Sequence, residues 1–99
     1  MNIKDQVNLI TGGCGRIGRA ASMEFAKLGS HLVIADIDKR KLEDLKNEIL
    51  KNFDVDVKTV KCDITKQSEV KNLVQESFKF KGFLSGAINS AYPTSKGWG

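Results

Sequence analysis

The chain has 99 residues, nine of them glycine, and its 16 basic and 12 acidic residues give a formal net charge of +4. That length fits one thin-cored domain, residues 1–99, which hides about two-thirds of its unfolded surface. The charges alternate in sign without a basic block, so nucleic acid is not an expected partner. No apolar stretch approaches the ~18 residues of a membrane span and Met1–Gln6 has no signal-peptide character, so no membrane partner is expected and the chain reads as cytoplasmic.

The first apolar run, Val7-Asn8-Leu9-Ile10, is short and reads as a buried strand. Arg16–Leu28 follows with helical apolar spacing at Ile17, Ala20, Ala21, Phe25 and Leu28. Between them lies Thr11-Gly12-Gly13-Cys14-Gly15-Arg16-Ile17-Gly18, which places Gly12, Gly15 and Gly18 at a strand-to-helix joint. Glycines there serve a turn, close backbone approach to a pyrophosphate, and tight contact between helix and strand. The unpaired N–H groups at the helix start then face the anion. Thr11, Gly12, Gly15, Arg16, Ile17 and Gly18 are the candidate phosphate-turn residues.

A second run, His31-Leu32-Val33-Ile34-Ala35, ends at Asp36, the acidic position of a dinucleotide fingerprint. A carboxylate there accepts from both ribose hydroxyls of the adenosine and repels a 2′-phosphate, which favours NAD over NADP. The plainer role for Asp36 is to cap the next helix, a task open to Asp38 as well. Lys39, Arg40 and Lys41 read as a solvated helix face. Cys14, near a helix start, is expected to have a lowered pKa, although a small residue tolerated in a tight turn is the plainer account. His31 reads as a strand-edge residue, and the spacing of Cys14 and Cys62 indicates neither a metal site nor a disulfide.

A second helix is predicted over Asp38–Asn52, with Leu42, Leu45, Ile49 and Leu50 on the sheet side. A third strand over Val55–Cys62 alternates valines with lysines, as a sheet-edge strand does. Thr65 is placed as the cap of a third helix that buries Val70, Leu73, Val74 and Phe78 and stops at Gly82. A fourth strand covers Phe83–Asn89, after which the chain leaves regular structure. Strands alternating with helices give an α/β fold, a doubly wound parallel sheet of order 3-2-1-4 with three helices. Its ligand crevice lies at the carboxyl ends, where the order reverses between strands 1 and 4.

From Val7 to Lys96 the sequence resembles the short-chain dehydrogenases/reductases. The octet at 11–18 fits that family's T-G-x-x-G-x-x-G form, with Arg16 at the middle glycine of the commoner version. Asp36-Ile37 resembles the ribose-selecting pair. Cys62-Asp63-Ile64-Thr65 is similar to the pair after the third strand, in which Asp63 and Ile64 would hold the adenine edge; the other reading of Asp63 is a helix-capping acid. Asn89-Ser90-Ala91 resembles the N-N-A-G stretch, with Ser90 and Tyr92 departing from it. Lys81–Gly86 lacks the family's acidic residue ahead of the fourth strand, so packing there is expected to be weaker. The Asn-Ser-Ala-Tyr-Pro wording, with Lys96 and Trp98-Gly99, is similar to a bacterial subgroup of flagellin modification proteins and surface-sugar reductases.

The resemblance implies a Rossmann-type fold and the NAD-binding front part of an oxidoreductase. Such an enzyme moves hydride between NAD and an alcohol or ketone, in that subgroup a sugar, and its full-length form is expected to be a homo-oligomer. The family's serine and Tyr-x-x-x-Lys pair are expected beyond this stretch. Tyr92 and Lys96 have the pair's spacing but follow the fourth strand at once, and Pro93 keeps Tyr92 out of a helix interior, so no catalytic residue is assigned. The alternatives are a dinucleotide-binding module without catalysis, or a truncated remnant whose strand-4 edge invites association.

Overall fold

The structure is a computed structural model and describes residues 3–90. Its elements in chain order are β1 (Val7–Thr11), α1 (Arg16–Lys27), β2 (His31–Asp36), α2 (Lys39–Asn52), β3 (Val57–Lys61), α3 (Gln67–Lys81) and β4 (Gly86–Asn89). All four strands are parallel, in the order β3-β2-β1-β4. That is the order expected from the alternation of short apolar runs with amphipathic ones.

Period-two pleating sorts the strand side chains between two cores. Ile10, Leu32 and Ile34 point to one face, where they pack with Ala26 of α1 and with Leu42, Leu45 and Ile49 of α2. Val7, Leu9, Val33 and Ala35 point to the other, with Cys62 and Leu73 of α3. Both faces of β1 and β2 are covered, which explains why these strands are nearly continuous apolar runs. β3 has a strand neighbour on one side only, as its alternation with lysines implied.

The helices differ from expectation in which residues they bury. In α1 the buried line is Gly18, Ser22 and Ala26, while Ile17 is 56% and Leu28 51% exposed; Ala20 is exposed too, and Ala21 and Phe25 are half-buried. Small residues four apart let this helix approach the sheet closely, and the Ser22 hydroxyl satisfies itself by donating to Gly18 O at 2.7 Å. In α2 the expected Leu42, Leu45 and Ile49 are buried but Leu50 is exposed. In α3, Leu73 and Ser77 are buried and Val70 half-buried, whereas Val74 and Phe78 face outward. Ser77 again bonds within its own helix, to Leu73 O at 2.7 Å.

Asp38 caps α2 by accepting from the Lys41 N–H at 3.1 Å. Thr65 does not cap α3. Its amide and hydroxyl both donate to Asp63 Oδ1, and the N-cap position falls on Lys66 without a side-chain bond. Both outer strands are shorter than predicted. Val55 and Cys62 lie outside the β3 ladder yet stay buried, and the chain remains tied there by Leu32 N to Asp56 O and Cys62 N to Asp36 O. β4 starts only at Gly86, but Ser85 already binds β1: its amide donates to Val7 O at 2.7 Å and its hydroxyl accepts from Val7 N at 3.1 Å. This serine fastens the stretch where weaker packing was expected. His31 Nδ1 accepts from the Asp56 amide at 3.0 Å, a strand-edge role. Among the described residues no helix is long and apolar enough to cross a membrane.

Candidate functional site

β1 ends at Thr11 and α1 starts at Arg16, so the connection is four residues long. Gly12 takes φ +66°, a left-handed conformation that glycine adopts without strain. Gly13 is packed so tightly that an added Cβ would lie 2.2 Å from Ile34 Cγ2. At Gly18 a Cβ would fall 2.1 Å from Gly12 O and 2.7 Å from Ser90 Oγ. Gly15 is different, since a Cβ there would meet only Gly12 O at an ordinary 3.4 Å. It is exposed and forms the N-cap of α1, with no side-chain cap and no acidic residue in the first turn. The helix itself thus offers no acid or side-chain cap to the N–H groups and positive dipole end of that turn. Arg16 and Ile17 are exposed beside it.

The turn is held from both flanks. From β2, Ala35 O accepts the Gly13 N–H at 3.1 Å and Asp36 Oδ2 accepts the Cys14 N–H at 3.0 Å. Asp36 Oδ1 also accepts the Asp38 N–H at 3.1 Å, so this acid braces the start of α2 without being its cap. From the β4 side, Ser90 Oγ donates to Thr11 O at 2.6 Å and Gly12 O at 3.2 Å, and the Thr11 hydroxyl donates to Asn89 Oδ1 at 2.8 Å. The register sets Thr11 opposite both Ala35 and Asn89, which brings Thr11, Asp36 and Asn89 to the carboxyl edge of the sheet where strand order reverses. Ile37, just past β2, is 61% exposed.

Asp63 and Ile64 follow β3. Both Thr65 bonds to Asp63 Oδ1 lower its pKa below the ordinary carboxylate value, first through the hydroxyl and then through the amide. Glu69 Oε1 meanwhile accepts the Asp63 N–H at 2.9 Å. Asp63 therefore does not cap α3, whose N-cap is Lys66 without a side-chain bond; it braces the preceding turn through Oδ1, with Oδ2 not engaged by Thr65. Ala91, Tyr92 and Lys96 lie outside the described residues.

Beside the glycine turn, a crevice of about 220 Å³ between α1 and α2 is lined by Cys14, Arg19, Lys41, Asp44 and Leu45. Arg19 is already paired with Glu48. The Cys14 thiol does not have the lowered pKa expected near a helix start. Burial, and then the nearby Asp36 and Asp38 carboxylates, push it from 9.0 up to about 11. Because the folded state favours the protonated thiol, its contribution to stability is complete below about pH 9 and is lost as pH rises toward 11. Alkylation of Cys14 at pH 8 should therefore be slower than that of a free thiol and should accelerate toward pH 11, as followed by mass spectrometry; a rate matching free cysteine at pH 8 would contradict this.

The sequence reading missed Gly13, whose role is packing against Ile34. The Gly-Gly doublet was its only signal. It also missed the Cys14 amide, because a backbone donor leaves no trace in residue identity.

The family model for short chain dehydrogenase matches residues 6–92. The chain belongs to the short-chain dehydrogenase family. Post-translational flagellin modification protein A of Campylobacter coli is 28% identical over 97 residues, covering 98% of this chain and 38% of that protein. A short-chain dehydrogenase/reductase from Burkholderia phymatum in complex with NAD matches with a TM-score of 0.82 and 25% identity, over 88% of this chain and 31% of that one. L-Sorbose reductase from Gluconobacter frateurii, complexed with NADPH and L-sorbose, matches with a TM-score of 0.89 and 27% identity, over 96% and 37%. The chain therefore spans 31–38% of the length of these relatives.

Proposed function

We propose that the chain is the dinucleotide-binding part of a short-chain dehydrogenase and takes NAD in preference to NADP. The observation that carries this reading is the bare start of α1. An uncapped, acid-free first turn stands behind an open Gly15 at the point where strand order reverses. In this reading the diphosphate lies along Thr11, Gly12 and Gly15–Gly18, with Arg16 adding a cation. Asp36, next to Ile37, accepts from the adenosine ribose. Asp63 and Ile64 border the adenine, and Asn89, Ser90 and Ala91 border the nicotinamide side. The fit is favoured by Gly15, whose exposed backbone stands where a side chain would obstruct an anion, while Gly13 and Gly18 hold the turn closed against Ile34 and α1.

The preference for NAD rests on charge. Asp36 meets a 2′-phosphate with a carboxylate, and the Arg19 guanidinium in the adjoining crevice is committed to Glu48. The bound cofactor would exchange hydride with an alcohol or ketone. Similarity to the Campylobacter flagellin modification protein supports flagellin modification as the setting, and the subgroup resemblance of the Asn-Ser-Ala-Tyr-Pro stretch supports a sugar as that substrate. The chain's part is to bind and orient the dinucleotide. Proton transfer is the part of a tyrosine and lysine pair, to which no residue of this chain is assigned.

Thermal unfolding with each cofactor tests this. NAD at 100 times its Kd should stabilise the fold by about 2.7 kcal/mol, a rise of roughly 10 °C or more for a domain of this size. NADP at the same concentration should give a much smaller rise. No shift with either would overturn the reading, and a larger shift with NADP would overturn the NAD preference.

A further inference from the structure

Asp36 sits where two parts of the proposed ligand site meet. Its Oδ2 holds the Cys14 amide at 3.0 Å and its Oδ1 the Asp38 amide at 3.1 Å, so one carboxylate spans the glycine turn and the β2–α2 connection. The preceding amide, Gly13, is fixed by Ala35 O at 3.1 Å. Two consecutive amides of the turn are thus committed to the end of β2, the second of them through a side chain. On the far flank Ser90 Oγ holds the Thr11 and Gly12 carbonyls. The amides left for an anion are those of the first turn of α1, which starts two residues after Cys14.

Resting on the dinucleotide reading above, we infer that Asp36 is a positioning residue for the diphosphate cradle as well as an acceptor for the ribose. Its bond to the Cys14 amide keeps the turn in the shape that presents the start of α1. A charge-assisted bond of this kind is among the stronger hydrogen bonds of a protein, and the ribose and diphosphate ends of the ligand are coupled through it. One consequence concerns cofactor exchange. A substitution at 36 made to admit a 2′-phosphate loosens the diphosphate cradle, so it weakens NAD without creating tight NADP binding.

Inorganic pyrophosphate, which has no ribose, separates the two roles by the sign of the effect. If Asp36 only accepts from ribose, removing its negative charge should leave pyrophosphate binding unchanged or tighten it. If Asp36 also fixes the turn, Asp36→Ala should weaken pyrophosphate by about tenfold, as loss of a charged hydrogen bond does. Asp36→Asn keeps one acceptor oxygen for the Cys14 amide while its NH2 replaces the oxygen that accepts from Asp38, so it should bind pyrophosphate more tightly than Asp36→Ala does while losing NAD affinity. Asp36→Ser, too short to bridge to the turn, serves where Asp36→Ala does not fold.

Amide hydrogen exchange on the ligand-free chain gives an independent readout. Exchange at Cys14 should be about tenfold faster in Asp36→Ala and near wild type in Asp36→Asn, with Gly13 unchanged in both. Pyrophosphate binding by Asp36→Ala as tight as wild type, or unaltered Cys14 exchange, overturns the inference alone. A wild-type chain that binds neither NAD nor pyrophosphate overturns the dinucleotide reading beneath it.

Discussion

Gly18→Ala is expected to damage both fold and binding. The added Cβ would stand 2.1 Å from Gly12 O and 2.7 Å from Gly13 Cα, both backbone atoms with no rotamer to escape into. Either α1 must lift from the turn or the turn must open. Overpacking of this kind costs about 1–3 kcal/mol, and movement of α1 relative to the turn should weaken NAD by about tenfold or more, the loss expected for one charge-assisted hydrogen bond to the diphosphate. Gly15→Ala is the control. Its Cβ meets only Gly12 O at 3.4 Å, so the fold should hold while the methyl intrudes where the ligand approaches the backbone. Urea unfolding with NAD titration reads both effects. Equal stability losses in the two variants would contradict the packing argument.

Ile34→Ala should be the largest purely structural loss. Ile34 is fully buried in the core formed with Leu42, Leu45 and Ile49, and its Cγ2 closes the space behind Gly13. Truncation should cost about 2–5 kcal/mol, a large part of the 5–15 kcal/mol that stabilises a typical domain. The two sites are also coupled. Gly13→Ala collides with Cγ2 in the native chain, whereas in the Ile34→Ala background the new methyl enters the vacated space. The double variant should therefore be more stable than the sum of the singles by about 0.5–3 kcal/mol. Strict additivity would show that Gly13 is not held against Ile34.

Which parts of this architecture were legible in the sequence follows from how each residue acts. β1 and β2 read directly from their apolar runs, because strands covered on both faces need apolar side chains at every step. The glycine octet and Asp36 stood out because a strand-turn-helix joint leaves few residue choices. Asp38 was legible as a cap because capping needs a short acceptor at the helix start. The α1 stripe was misread for a physical reason: close approach to the sheet selects Gly18, Ser22 and Ala26, while hydrophobic periodicity gives weight to Ile17 and Leu28, which are exposed.

Ser77 misled in the same way on α3, since a serine that bonds its own helix can be buried at little cost. The Cys14 thiol departs from the expectation because burial and the Asp36 and Asp38 charges, which sequence spacing does not reveal, outweigh its proximity to a helix start. Thr65 was misplaced because a hydroxyl can donate as readily as it accepts, and here it donates to Asp63.

The central claim is that a dinucleotide rests on the start of α1 with its ribose at Asp36. The most direct measurement is a residue-resolved NMR titration of the 99-residue chain with NAD. The expected result is that the amides of Gly15 to Gly18 and of Asp36 to Asp38 shift together and saturate at one Kd, while those of the α3 surface around Val74 and Phe78 do not move. Saturable shifts confined to other surfaces, with the glycine turn silent, would contradict it.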